Sequence, residues 1–349
     1  MFEGINEIHG VDPRRGQASG PPRRVAITGS AGFLGANLIG VLEDSPRIER
    51  ILSLDEKRPE SARDKTVHHE IDLTDRKIEQ KLAELLASAN IDTLVHLAFH
   101  DSPTHHPDRS HYLESVGTMY VAGACRRAQV RKLILTSHTF LYGANPKNPS
   151  LMTEDRPLYA SPSEPFFRDK LQAERDALEF GRPGRGRVVT ILRTAPILGP
   201  GIDGFATRYL TQDRIPSILG FDPLWQFLHE SDAVLALKRA IDTDAPGVFN
   251  VAGAGVIPLS KVIRLAGGRA LPMTRTMTHF TLGALWVLRK SPLPASFTDY
   301  LQYPCIGDTE KSRRLLGFIP MFTSHEALLD FAARRNMRQV ELLSETPAT

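Results

Sequence analysis

The chain carries Gly29-Ser30-Ala31-Gly32-Phe33-Leu34-Gly35 between two periodic segments. Before it runs the apolar stretch Val25-Ala26-Ile27-Thr28, and after it Leu34, Leu38, Val41 and Leu42 fall on one helical face. A G-x-x-G-x-x-G turn between strand and helix constrains the fold more than any other feature of this sequence. Gly29 permits the tight turn, Gly32 lets backbone approach a pyrophosphate, and Gly35 lets helix and strand pack closely. The helix start offers its free N–H groups to phosphate. The next apolar run, Ile51-Leu52-Ser53-Leu54, ends on Asp55, placed to bind the ribose hydroxyls of an adenosine. A carboxylate there repels a 2′-phosphate, so the expected cofactor is NAD rather than NADP. Lys57 and Arg58 oppose that preference. The alternative is an ordinary strand–helix turn with a surface aspartate.

The alternation continues. Helical periodicity covers Ile78–Leu86, Tyr112–Ala128 and Phe167–Phe180, and strand patterns cover Thr93–Leu97, Lys132–Thr136 and Val188–Leu192. Strands alternating with helices predict an α/β fold with a doubly wound parallel sheet. The alternation fades near Pro200. The expected organisation is a disordered tail at 1–24, a nucleotide-binding domain at 25–199, a smaller mixed α/β substrate region at 200–335 interleaved with it, and a tail at 336–349. The run Gly181–Arg187 is a turn-rich break.

Composition narrows the function classes. The 349 residues hold 43 Lys and Arg against 40 Asp and Glu, a net charge of +3, too small to argue for nucleic acid. Two cysteines, Cys125 and Cys305, rule out a disulfide scaffold and suit a reducing cytoplasm. Residues 1–24 lack the apolar core of a signal peptide. The longest apolar stretch, Phe280–Leu288, is short of the roughly 20 residues of a membrane span. Its Leu282, Leu285, Trp286 and Leu288 are expected to pack on the core. A membrane-surface helix is the alternative, with Arg289 and Lys290 alone to supply charge.

Further motifs follow in order: Asp72-Leu73-Thr74-Asp75, His96-Leu97-Ala98, Val116-Gly117-Thr118, Leu141-Tyr142-Gly143, Leu192-Arg193 with Gly199-Pro200-Gly201, and Phe227-Leu228-His229-Glu230-Ser231-Asp232-Ala233. With the glycine spacing they resemble the extended short-chain dehydrogenase/reductase family, the NAD-dependent epimerase/dehydratases, over Val25 to Pro320. The chain is also similar to a bacterial UDP-glucose 4-epimerase-like branch around Gly220-Phe221-Asp222-Pro223 and Asn250-Val251-Ala252-Gly253. The resemblance implies a Rossmann-type domain whose glycine loop, from Gly29 through Ala31, Gly32, Phe33 and Leu34 to Gly35, holds NAD. Asp55, Asp72, Leu73, Leu97, Ala98 and Lys170 complete that site. It further implies a small-molecule substrate such as a nucleotide sugar. A homodimer through the Tyr112–Ala128 and Phe167–Phe180 helices is also implied.

The catalytic half departs from the family. Its Y-x-x-x-K pair corresponds to Phe166-Phe167-Arg168-Asp169-Lys170. Lys170 is present, but Phe166 at the tyrosine position has no proton to exchange. Tyr159 lies too far from Lys170 to replace it. The family's Ser or Thr, four residues before Tyr142, is His138, flanked by Ser137 and Thr139. His138 reads as a replacement acid/base, whose ordinary pKa of about 6.5 suits proton transfer. The alternative, which a lone histidine favours, is a side chain filling a changed site. Asp169 or Glu164 would be its orienting partner. Glu114 stands at a family asparagine, Pro196 at another, and Phe99 at an alanine. The histidines His96, His100, His105, His106 and His111 match no metal spacing, so no metal is expected, and the segment reads as a polar lid. Two functions remain. One is hydride exchange between NAD and a hydroxyl of a sugar or related alcohol. The other is a non-catalytic NAD-binding sensor or scaffold.

Overall fold

The computed structural model describes residues 23–182 and 186–345. The first half runs β1 (Arg23–Thr28), α1 (Phe33–Glu43), β2 (Ile48–Asp55), β3 (Thr66–Glu70), α2 (Ile78–Ser88), β4 (Thr93–His96), α3 (Pro107–His111), α4 (Gly117–Arg127), β5 (Lys132–His138), α5 (Pro165–Phe180) and β6 (Val188–Thr194). The second half runs β7 (Ile197–Leu198), α6 (Phe205–Leu210), β8 (Arg214–Ile218), β9 (Leu224–Trp225), β10 (Leu228–His229), α7 (Glu230–Asp242), β11 (Gly247–Val251), β12 (Ile257–Pro258), α8 (Leu259–Leu265), β13 (Arg269–Met273), α9 (Arg275–Val287) and α10 (Ser324–Glu345).

The central sheet is parallel, in the order β11-β6-β5-β4-β1-β2-β3. Its direction of winding reverses between β1 and β4, which opens a crevice at their C-terminal ends. Period-two side chains separate the two cores. Val25 and Ile27 of β1 join Leu38, Leu42 and Phe249 on one face, under α1 and α7. Ala26 joins Leu82, Val121 and Phe180 on the other, under α2, α4 and α5. A third core of aromatic rings, including Phe140, Phe166, Phe205 and Phe297, supports the substrate side.

Two sheet strands escape the sequence pattern. β3 is a polar edge strand with Val67 45% exposed, so it lacks the apolar run of a buried strand. β11 lies beyond Pro200 yet pairs with β6. The division at 199 and 200 therefore does not separate the layers: α7 and β11 complete the large sheet unit, while β8–β13 and β9–β12 pair beside it.

Other boundaries shift for identifiable reasons. The tail expected at 1–24 lies outside the described residues except for Arg23 and Arg24, which begin β1. Their charges are met by Asp244 at 3.1 Å and Glu49 at 2.7 Å. At the other end α10 runs through 336–345, where a tail was expected, because no Gly or Pro interrupts Ser324–Glu345. The helix expected at Tyr112–Ala128 begins at Pro107 and passes through a π turn at Tyr112–Val116. Within the Gly181–Arg187 break, residues 183–185 lie outside the described residues. Cys125 is buried in α4, and burial pushes its thiol up to about 12.

The packing of α9 corrects the expectation for Phe280–Leu288. Of Leu282, Leu285, Trp286 and Leu288 only Leu282 is buried, and Leu288 is 62% exposed. The inward face instead centres on Thr278 and Leu282, one helical turn apart. Among the described residues no helix is long and apolar enough to cross a membrane.

Candidate active site

The glycine turn sits at the crevice between β1 and β4. Gly29 has φ +67°, and a Cβ there would lie 2.6 Å from the carbonyl of Leu97. Only glycine satisfies both demands. A Cβ on Gly35 would lie 2.4 Å from the Gly29 oxygen, so α1 and the turn are in backbone contact. Gly32 is the N-cap of α1 and supplies no side-chain cap, which leaves the helix start open toward the crevice. Asp55 ends β2. Its carboxylate accepts the N–H of Ala31 at 3.0 Å and that of Lys57 at 3.2 Å, so it also braces the loop.

Two adjoining hollows meet at this turn. One, of about 400 Å³, is lined by Gly29, Gly32, Asp55, Asp72, Leu73, Leu97 and Ala98. The other, of about 610 Å³, is lined by Phe33, Leu34, Gly35, Asp101, His138 and Lys170. The sequence-predicted site residues thus line these two hollows, except Ala31, which Asp55 holds, and Phe166, which packs against Lys170.

Lys170 is the most constrained of them. It projects from α5 and is 5% exposed. Its Nζ donates to the carbonyl of His100 at 2.8 Å and to Glu114 Oε2 at 3.1 Å. Glu114 Oε1 in turn accepts the His100 N–H at 2.8 Å. The rings of Phe166 and Phe99 lie 4.5 and 5.3 Å from the same ammonium. The two aromatic departures therefore act together, each presenting a ring face to the cation. Sequence reading treated Phe166, Phe99 and Glu114 as separate losses; in space they form one cradle.

His138 ends β5 and is 2% exposed. Its Nδ1 accepts the backbone N–H of Phe140 at 3.3 Å. A neutral ring that accepts at Nδ1 carries its proton on Nε2. Nε2 has no partner among the described residues, and the residue lines the larger hollow. Rings of Phe140 and Phe205 flank it at 5.2 Å each. Burial, helped by the Lys170 charge, pushes its pKa down to about 3. The ring is thus a neutral donor at physiological pH rather than a proton acceptor.

Neither proposed orienting partner reaches it. Asp169 bonds His111 Nδ1 at 2.8 Å, and Glu164 accepts from Ser296 at 2.7 Å. The neighbouring Ser137 hydroxyl donates to Glu174.

Asp101 is the residue the sequence reading missed. It follows His100 in the loop beyond β4 and lines the larger hollow with Lys170 and His138. The Phe205 N–H binds its carbonyl at 3.2 Å. A Cβ on Gly204 would lie 2.2 Å from its Oδ2, so the carboxyl fits a space that glycine leaves. Burial pushes its pKa up to about 6, partly opposed by Lys170. The available signal was an acidic residue just after the His-Leu-Ala-Phe segment, hidden among histidines.

Those histidines diverge. His96 is buried between Thr28 at 2.6 Å and Thr118 at 3.0 Å. His105 stacks on Trp286 at 3.8 Å, and His111 faces Asp169. Among the described residues no three His, Cys, Asp or Glu side chains gather as a metal site.

The Leu-Arg and Tyr-Gly motifs belong to the frame. Arg193 forks onto Glu174 at 2.9 and 2.6 Å and donates to Tyr142 Oη at 3.0 Å. Tyr142 donates to Asn250 at 2.7 Å. This buried chain ties β6, α5, the end of β5 and β11 together below the crevice.

A family model described as NAD dependent epimerase/dehydratase matches residues 25–252. An uncharacterized protein of Mycobacterium tuberculosis is 31% identical over 329 residues, covering 91% of this chain and 86% of that protein. The 3-diazoavenalumate denitrifying reductase of a Streptomyces species is 27% identical over 237 residues, 65% of this chain and 75% of the reductase. Among solved structures, MoeE5 in complex with UDP-glucuronic acid and NAD has a TM-score of 0.68 at 23% identity, covering 90% of this chain and 99% of that one. The Thermotoga maritima UDP-glucose 4-epimerase with UDP-glucose has a TM-score of 0.69 at 19% identity, with 90% and 99% covered.

Proposed function

The chain belongs to the NAD dependent epimerase/dehydratase family, and from that premise we propose that it exchanges hydride between NAD and a hydroxyl-bearing carbon of a nucleotide sugar or related small alcohol. The observation that carries this is the larger hollow, where Lys170, Asp101 and His138 converge beside the glycine turn. The smaller hollow fits the adenosine half: Asp55 for the ribose, with Asp72, Leu73, Leu97 and Ala98 around the base. The open start of α1, with Gly29, Gly32 and Gly35, would hold the pyrophosphate. Lys170 would hold the second ribose.

When bound, NAD supplies a hydride acceptor. The chain's own residues move the proton. Asp101, ionised above pH about 6, accepts the proton of the substrate hydroxyl. His138 Nε2–H donates to the same oxygen as it becomes a carbonyl. Return of the hydride to the other face would give epimerisation, and its retention net oxidation. Together the two groups would do the work of the absent tyrosine and serine. The unpaired buried cysteines support a reducing compartment, the cytoplasm. Exposed Met119 on α4 and Leu178 on α5 support a homodimer through those helices.

The first test is nucleotide content. Purified protein is denatured, any released nucleotide is identified, and the apo form is titrated with NADH and NADPH. NADH is expected to bind at least about tenfold tighter, because Asp55 repels a 2′-phosphate. Binding of neither nucleotide would overturn the proposal.

His138 has its own test. His138→Ala is expected to lower kcat by roughly 10²–10³-fold, the loss seen when one donor to a developing oxyanion is removed. The pH profile should keep its limb near 6. Disappearance of that limb in the variant would make His138 the base and overturn the donor role.

A further inference from the structure

We propose that α9 is a docking helix for an anionic lipid surface, and that it sets the mouth of the larger hollow beside that surface.

The outward face of α9 is apolar. Met277 is 57% exposed, Phe280 76%, Val287 81% and Leu288 62%, and Ala284 is exposed among them. Positions 277, 280, 284, 287 and 288 share one helical stripe. A helix that packs on a core turns such a stripe inward. Here the inward contacts come from Thr278 and Leu282 instead. Leu271 of β13 and Leu219 after β8 are also exposed, at 39% and 62%. β8 and β13 are paired, and α9 packs against β8.

Charge identifies the occupant. From Arg269 to Thr298 there is no Asp or Glu, whereas Arg269, Arg275, Arg289 and Lys290 are all exposed. Arg275 reaches Asp299 at 2.8 Å, just outside the stretch. Large apolar side chains flanked by cations match a bilayer boundary with anionic headgroups. A second copy is a poor occupant, since a two-fold contact would place each cationic patch against its twin.

The placement has a functional edge. Trp286 stacks on His105 of the lid at 3.8 Å, and Arg289 lines the larger hollow. Docking through α9 would therefore hold the lid at the lipid boundary.

The test uses the full chain and co-sedimentation with two vesicle types. One is phosphatidylcholine alone; the other mixes phosphatidylcholine and phosphatidylglycerol. Binding is expected to the mixed vesicles, and to weaken between about 0.1 and 1 M salt. The double variant Phe280→Ser/Val287→Ser is expected to bind at least about tenfold more weakly. Tyr159→Ser, at another exposed aromatic, should bind like the parent. Sedimentation velocity on the same samples reads self-association, and NADH titration reads the integrity of the fold. No binding to the mixed vesicles, or equal binding by the double variant, overturns the proposal. So does a dimer that the double variant dissolves, since the second copy would then cover the stripe. Because the vesicle readout does not depend on turnover, its failure is distinguishable from failure of the proposed reaction.

Discussion

Asp101→Asn is expected to lower kcat by about 10²–10⁴-fold, the range for losing a positioned general base. Asparagine keeps the shape that fits beside Gly204, where the Asp101 oxygen occupies the space a Cβ would need. What it removes is the ability to take a proton. The sign of the pH dependence follows from the raised pKa of about 6. Below that value Asp101 is protonated and cannot accept the hydroxyl proton, so kcat/KM for alcohol oxidation should rise with pH and level off above about 6. The variant should lose that limb along with its rate. A slower variant that keeps the limb would assign Asp101 to positioning alone. An unchanged rate would remove it from the mechanism.

The second large effect is on stability. Arg193→Met would leave the Glu174 carboxylate buried, with only the Ser137 hydroxyl as a remaining side-chain partner among the described residues. Removing one partner of a buried ion pair costs roughly 3–5 kcal/mol, because the other charge loses its compensation. Tyr142 and Asn250 hang on the same chain, so the loss should spread to the β5 end and to β11. Urea unfolding of both proteins measures it. The double variant Glu174→Leu/Arg193→Met should recover part of the loss, since no isolated charge remains. A single-variant cost below about 1 kcal/mol would mean that solvent or other groups reach Glu174.

The glycine turn was legible in the sequence because its physics is local. Gly29 and Gly35 are required by backbone contacts within one strand–turn–helix unit, and Asp55 follows one strand later. The grouping around Lys170 was not. Lys170 meets Glu114 and the His100 carbonyl from different elements, and no spacing along the chain reveals that meeting. Asp101 was masked for the same reason: its relation to Gly204 and Lys170 exists only once the loop after β4 has folded against α5 and α6. His138 could be located from the Tyr142 offset. Its tautomer could not, since that depends on the Phe140 N–H. The outward stripe of α9 shows a different limit. Apolar periodicity identifies a helix face without saying whether the face turns inward.

The cradle around Lys170 bears on how such a site could change over generations. Glu114 grips both the ammonium and the His100 N–H, while Phe99 and Phe166 cover the same charge. Exchanging Phe166 for tyrosine would add a hydroxyl next to a cation already satisfied on several sides. Exchanging Glu114 first would strip a buried ammonium of its counter-charge. Neighbours coupled in this way depart from additivity by about 0.5–3 kcal/mol. A lineage moving between this arrangement and the tyrosine-bearing one would cross less stable intermediates unless several of these positions changed together.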